Sequence, residues 1–237
     1  MWAYHRSTMI EPSTPSNNRL SGQPVRNPGN TPHIVLASRS PRRTEILASV
    51  GVDADVRPSN MPEHRLPGDA TPEAWALRLA GDKAASASRE YPDAVTIGAD
   101  TIVVIEGDVL GKPASPDEAV ATLTRLRNRP HRVVTAVALD GPTGRWSGWS
   151  STDVKIRDLS DSEIAEYVDS RLPLDKAGSY GIQDRPFSPA ELVKGCYLNV
   201  VGLPVCLLGE LFELAGSPLD IECLDCTGAM NTVTAQA

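Results

Sequence analysis

The chain has 237 residues, 41% of them hydrophobic and 22% charged, a globular composition sufficient for one large domain or two small ones. Its 23 lysines and arginines against 30 aspartates and glutamates leave a net charge of −7. That balance excludes a broadly basic nucleic-acid or anionic-membrane binder, but leaves room for a small anion held by a local basic cluster.

The segment 1–32 holds five prolines among Ser, Thr and Asn without hydrophobic periodicity, and is expected to be a disordered arm. No continuous apolar stretch in it suggests an export signal. From there strand-like and helix-like runs alternate. Residues 34–37 read as a short strand, 41–50 as a helix closed by Gly51, and 52–57 as extended. A long helix over 72–89 precedes strands at 94–99 and 102–105. Glu106-Gly107-Asp108 marks a hairpin to 109–110. Helix 116–127, β-rich stretches 132–139 and 147–156, helix 161–170 and a last helix over 204–215 complete the folded part, 33–218. The stretch 195–204 reads as a buried strand feeding that last helix. Pro204, Glu210 and Glu213 interrupt the longest apolar run, so no membrane span is expected. A loose tail is expected over 219–237. All four cysteines lie in the last fifth of the chain, a distribution that suits a reducing, cytoplasmic compartment better than a disulfide framework. The alternation implies one α/β domain with a mixed sheet.

Helix starts are marked by a hydroxyl followed by proline at Ser40-Pro41, Thr71-Pro72 and Ser115-Pro116, and by capping boxes at Ser115/Glu118 and Ser160/Glu163. The first start differs from the rest. Ser38-Arg39-Ser40-Pro41-Arg42-Arg43 places two cations in a first helical turn, where they oppose the helix dipole. Free N–H groups, serine hydroxyls and guanidinium forks there would cradle a phosphate. Alternatively both arginines point into solvent or pair with acids. Asp100, within the apolar run Thr96-Ile97-Gly98-Ala99-Asp100-Thr101-Ile102-Val103, needs a cation, a metal or a proton as partner. It is either a base or Mg²⁺ ligand, or a strand-end acid held by backbone N–H groups.

Lys112, on a Gly–Pro turn, is suited to neutralising phosphate, yet such lysines are commonly solvated. Glu63 and Lys83 carry little meaning alone. Gln183 carries paired donor and acceptor groups that suit a nucleobase edge, or is an ordinary loop amide. Four isolated histidines and the lone Cys223-x-x-Cys226 pair build no recognisable catalytic or zinc motif.

In this order, LASRSPRR at 36–43, GADTIV at 98–103, LGKP at 110–113, DKAGSYGIQ at 175–183 and NVVGLP at 199–204 resemble the Maf family of nucleoside-triphosphate pyrophosphatases. The resemblance implies an inosine-triphosphatase-like α/β fold, a mixed twisted sheet with flanking helices and two lobes around a cleft, often as a homodimer. It implies hydrolysis of a nucleoside triphosphate to the monophosphate and pyrophosphate with Mg²⁺ or Mn²⁺, a house-cleaning of nucleotide pools. GADT with YGIQ is similar to the branch acting on dTTP and UTP. A 7-methyl-GTP pyrophosphatase and a non-enzymatic regulator of cell division are the alternatives. Carried over by motif, Asp100 is the proton acceptor and Glu63 a cleft residue; the chemistry of phosphoanhydride hydrolysis would have Asp100 and Glu63 hold the divalent metal. Arg42, Thr101 and Gln183 take the substrate-discriminating positions, and Ser38, Arg43, Lys83 and Lys112 line the substrate cleft. One departure stands out: Asp184 follows the glutamine where a glycine is usual.

Overall fold

A computed structural model describes residues 32–185 and 187–221, and the backbone of 230–236. In chain order the elements are β1 (Ile34–Leu36), α1 (Pro41–Ser49), β2 (Asp55–Val56), α2 (Pro72–Ser88), β3 (Val95–Ile105), β4 (Asp108–Leu110) and α3 (Pro116–Leu126). Then follow β5 (Pro130–Gly141), β6 (Gly144–Ile156), α4 (Asp161–Asp169), β7 (Ala190–Lys194), α5 (Tyr197–Val201), α6 (Val205–Leu214) and β8 (Met230–Gln236). The mixed α/β class expected from the alternation is what forms. The arm expected over 1–32 lies outside the described residues apart from Pro32.

One sheet runs in the order β2-β1-β3-β5-β6-β7, with β4 also on β3 and β8 also on β6. Among the described residues only β1 pairs in parallel, with β2 and β3; the remaining pairs are antiparallel. Glu106 and Gly107 both have positive φ, 55° and 89°, as the two-residue β3–β4 hairpin demands.

The two faces of β3 sort by parity. Even-numbered Ile102 and Val104, with Val134, Ala136 and Ala138, pack against Ala76, Ala80 and Ala84 of α2. Gly98 permits that closeness, since a Cβ there would lie 2.0 Å from the Ala80 carbonyl oxygen. Odd-numbered Val95, Ile97 and Ala99 belong to a core with α1 and α6. Val103 and Ile105 belong to a second core with α3 and α4. These two cores on one face are the expected two lobes, sharing a single sheet.

Between them runs a buried polar seam. Thr101 and Thr135 are register partners with hydroxyls 3.0 Å apart. The Thr135 hydroxyl donates to the Asn199 carbonyl (2.7 Å), and the Asn199 amide donates to the Val133 carbonyl (2.9 Å) and the Thr152 hydroxyl (3.0 Å). Asn199 explains one correction. The stretch read as a buried strand is instead the helical turn α5, bracketed by Gly195 and Gly202 at φ 129° and 125°. The helical turn places this fully buried amide on β5 and β6.

Two further expectations are revised. The strands read at 94–99 and 102–105 are one strand, because the Asp100 carboxylate is held internally and does not interrupt it. The tail expected to be loose contains β8, which pairs with Arg145–Ser150 on the same β6 edge that β7 covers at Asp153–Ile156. Cys196 is buried, as read, whereas Cys206, also read as a core residue, is disulfide-bonded. Among the described residues no helix is long and apolar enough to cross a membrane.

Candidate active site

A break in strand pairing creates the site. β1 pairs with β3 only as far as Ile97, and β4 pairs with β3 on that same edge only from Val103 onward, through Leu110. Residues 98–102 therefore have no strand partner there, and a cleft of about 680 Å³ opens around them. Ser38, Arg42, Arg43, Glu63, Lys83, Asp100, Thr101, Lys112 and Gln183, scattered over the sequence, all line this one cleft. Six cationic and four acidic side chains face it, a local reversal of the chain's negative balance.

On the α2 side, Asp100 and Lys83 are both buried, and the Lys83 ammonium donates to Asp100 Oδ1 at 2.6 Å. Its other partner is Glu63 Oε1 at 2.7 Å, and Lys112 Nζ lies 3.7 Å from Glu63 Oε2. Burial pushes the Asp100 carboxyl above its ordinary value against the opposing pull of Lys83 and Arg43. A raised carboxyl is a better proton acceptor than a solvated one. Burial also raises Glu63, but the hydrogen bond from Lys83 and the charges of Lys83, Lys112 and Arg43 outweigh it and hold that carboxyl low.

The start of α1 forms the opposite wall. Thr71, Ser115 and Ser160 cap their helices through side-chain oxygens, with acids in each first turn. Only at Ser160 is the reciprocal box complete; Glu118 instead accepts from the Ala114 N–H. Ser40 makes no side-chain cap and α1 has no acid in its first turn, so this helix offers the cleft a positive end. Arg42 is partly exposed there, 4.0 Å from Asp175.

Arg43, read as one of the groups that would hold phosphate, lines the cleft but is buried and donates to the Gly202 carbonyl (2.8 Å), the Ser38 hydroxyl (3.1 Å), the Ala99 carbonyl (2.9 Å) and the Thr101 hydroxyl (3.0 Å). Four of its five N–H groups thus tie α1, β3 and the α5–α6 junction together. Burial lowers its pKa. Thr101 receives Arg43 and faces Thr135, so its hydroxyl belongs to the seam as well as to the cleft wall.

Gln183 stands at the cleft rim, one residue before Asp184. Asp184 does not stand as a free acid beside it, since Tyr167 and Lys176 bind its carboxylate. Trp75, Asp175 and Lys176 also line the cleft and were missed from sequence. The last two were visible within the DKAG motif; Trp75 reads as one more apolar residue of α2.

A family model described as Maf-like protein matches residues 33–215, and the chain belongs to that family. Its relatives include proteins named dTTP/UTP pyrophosphatase. That of Dehalococcoides mccartyi strain 195 is 43% identical over 79% of this chain and 84% of its own length. The Geobacter metallireducens protein is 43% identical over 78% and 96%, and the Aquifex aeolicus protein 40% identical over 78% and 98%. Among solved structures the Staphylococcus aureus Ham1 protein aligns with 53% of this chain and 72% of its own, at 17% identity and a TM-score of 0.38.

Proposed function

We propose that the chain is a nucleoside-triphosphate pyrophosphatase acting on dTTP and UTP, releasing the monophosphate and pyrophosphate. The observation that carries this reading is the placement of buried Asp100 across the cleft from the uncapped, arginine-bearing start of α1. In this reading the α1 N–H groups, Arg42 and Lys112 meet the triphosphate charge, as phosphoanhydride chemistry requires. Asp100 orients a water toward the α-phosphorus and accepts its proton. The water oxygen–phosphorus bond forms as the α–β anhydride bond breaks, and pyrophosphate leaves. Gln183 reads the pyrimidine edge through its amide.

The residues suit a divalent cation. Glu63 and Asp100 each place an oxygen within 2.7 Å of one nitrogen, Lys83 Nζ, and hard carboxylate oxygens are what Mg²⁺ or Mn²⁺ takes. With two carboxylates from the chain, such an ion would need substrate phosphates and water as its further ligands. When bound, such an ion would supply charge neutralisation at the phosphates.

Pyrophosphate release from a panel of dTTP, UTP, CTP, ATP, GTP and 7-methyl-GTP tests the reading, with dTTP and UTP turned over fastest. Asp100→Asn should hold nucleotide affinity within a few-fold while turnover falls by about 10²-fold or more. Near-normal turnover in that variant rules out Asp100 as the proton acceptor.

A further inference from the structure

The turn that presents Gln183 is held by groups the proposed chemistry does not use. Residues 181–184 form a turn closed by the Asp184 N–H on the Gly181 carbonyl at 3.1 Å. Three of the four residues are engaged elsewhere. Ile182 packs against both hydrophobic cores. The Gly181 N–H donates to the Tyr167 hydroxyl at 2.9 Å, and that hydroxyl donates to the Asp184 carboxylate. One phenol from α4 therefore ties the first and last residues of the turn together. Gln183, at the third position, makes no hydrogen bond to the described residues and lines the cleft.

The phenol is itself fixed. Its ring stacks on Phe187 with centroids 3.7 Å apart and planes 12° from parallel. The Arg157 guanidinium lies over the Phe187 ring, 5.7 Å from its centroid. Asp184 has a second partner in the buried Lys176, at 3.5 Å, which also pairs with Asp175 at 2.8 Å. Asp175 in turn lies 4.0 Å from Arg42, so ionic contacts run from one selectivity candidate to the turn carrying the other. Gly181 and Asp184 are matched: a Cβ at 181 would lie 2.6 Å from Asp184 Oδ2. The acid that replaces the family's usual glycine thus serves as the far end of a clamp.

We infer that Tyr167 and Asp184 are positioning residues for nucleobase selection, holding the 181–184 turn so that the Gln183 amide is presented in one orientation. This rests on the base-reading role proposed for Gln183. A pre-organised amide loses little freedom on meeting its base, and a slack turn would blur the distinction between bases without touching the phosphate end of the site.

The test uses the full chain and reads two quantities: equilibrium affinity for UTP, dTTP, ATP and GTP, and pyrophosphate release at saturation. Tyr167→Phe keeps the stacked ring and removes both hydroxyl bonds. It should lower the pyrimidine-to-purine affinity ratio by about tenfold, while kcat for UTP falls by about threefold at most. Asp184→Ala should behave likewise, and Asp184→Asn, which still accepts from the phenol, should restore most of the ratio. In a Gln183→Ala background, Tyr167→Phe should lower the ratio no further. An unchanged ratio in Tyr167→Phe, an equal loss for all four nucleotides, or a full additional loss in the Gln183→Ala background overturns the inference. A native chain that binds all four equally overturns it as well. Selective binding without pyrophosphate release defeats the hydrolase reading alone and leaves the clamp standing.

Discussion

Replacing Arg43 separates a brace from a ligand. Arg43→Met keeps an unbranched apolar stem and removes every donor. The Ala99 and Gly202 carbonyls, both buried, then lose the side-chain donors that reach them at 2.9 and 2.8 Å. An orphaned buried acceptor costs about 1–3 kcal/mol. The Ser38 and Thr101 hydroxyls retain other partners, Ser38 the Ser40 N–H and Thr101 the Thr135 hydroxyl. Against this loss, the desolvation of a buried guanidinium is relieved. The net expectation is a destabilisation of about 2–4 kcal/mol, a large share of a typical domain's stability. Urea unfolding at pH 7 should show a lower midpoint with an unchanged slope. The neighbouring Arg42→Met, partly exposed, should leave stability within about 0.5 kcal/mol yet weaken UTP binding by about tenfold or more. A native urea midpoint for Arg43→Met, with nucleotide affinity lost, would refute the brace and return Arg43 to the phosphate.

Two other outcomes follow from buried groups away from the phosphate wall. His131 is buried beside the Tyr180 hydroxyl at 2.7 Å, and burial lowers its pKa from 6.5 to about 4. The unfolded chain therefore binds this proton first, and stability falls as pH drops from 6.5 towards 4, by up to about 3 kcal/mol. Urea melts across that range measure the loss, and an imidazole titrating near 6.5 in the folded chain would refute it. Gly98→Ala should force α2 away from β3, because its Cβ meets main-chain atoms at 2.0 and 2.6 Å that cannot rotate aside. A cost of about 3 kcal/mol or more is expected, with turnover falling as the Lys83–Asp100 contact opens. A native melting temperature and a native kcat would contradict the packing argument.

Local chemistry was readable in the sequence. Hydroxyl–proline starts announced α1, α2 and α3, and the Glu106-Gly107 pair announced its hairpin, because each is settled by atoms within a few residues. The motifs also named the residues that surround the cleft. Adjacent positions were harder. Arg42 and Arg43 are indistinguishable by type, yet about 100° of helical rotation sends one to the cleft and the other into a four-bond brace. Strand β8 was illegible because it needs a free β6 edge, which no local pattern records.

By itself the sequence determined the α/β class, the family, the acidic balance of the chain and the inventory of charged groups available for a phosphate site. Only the tertiary structure decided which of those groups face a ligand. The unpaired edge of β3 at 98–102 exists because β1 ends early and β4 begins late. Asp100 meets Lys83 because α2 packs tightly over Gly98. Asp184 is a clamp rather than a loose acid because Tyr167, 17 residues earlier, reaches both ends of its turn. Each outcome depends on which faces are buried together, a long-range property of packing that residue type and spacing do not encode.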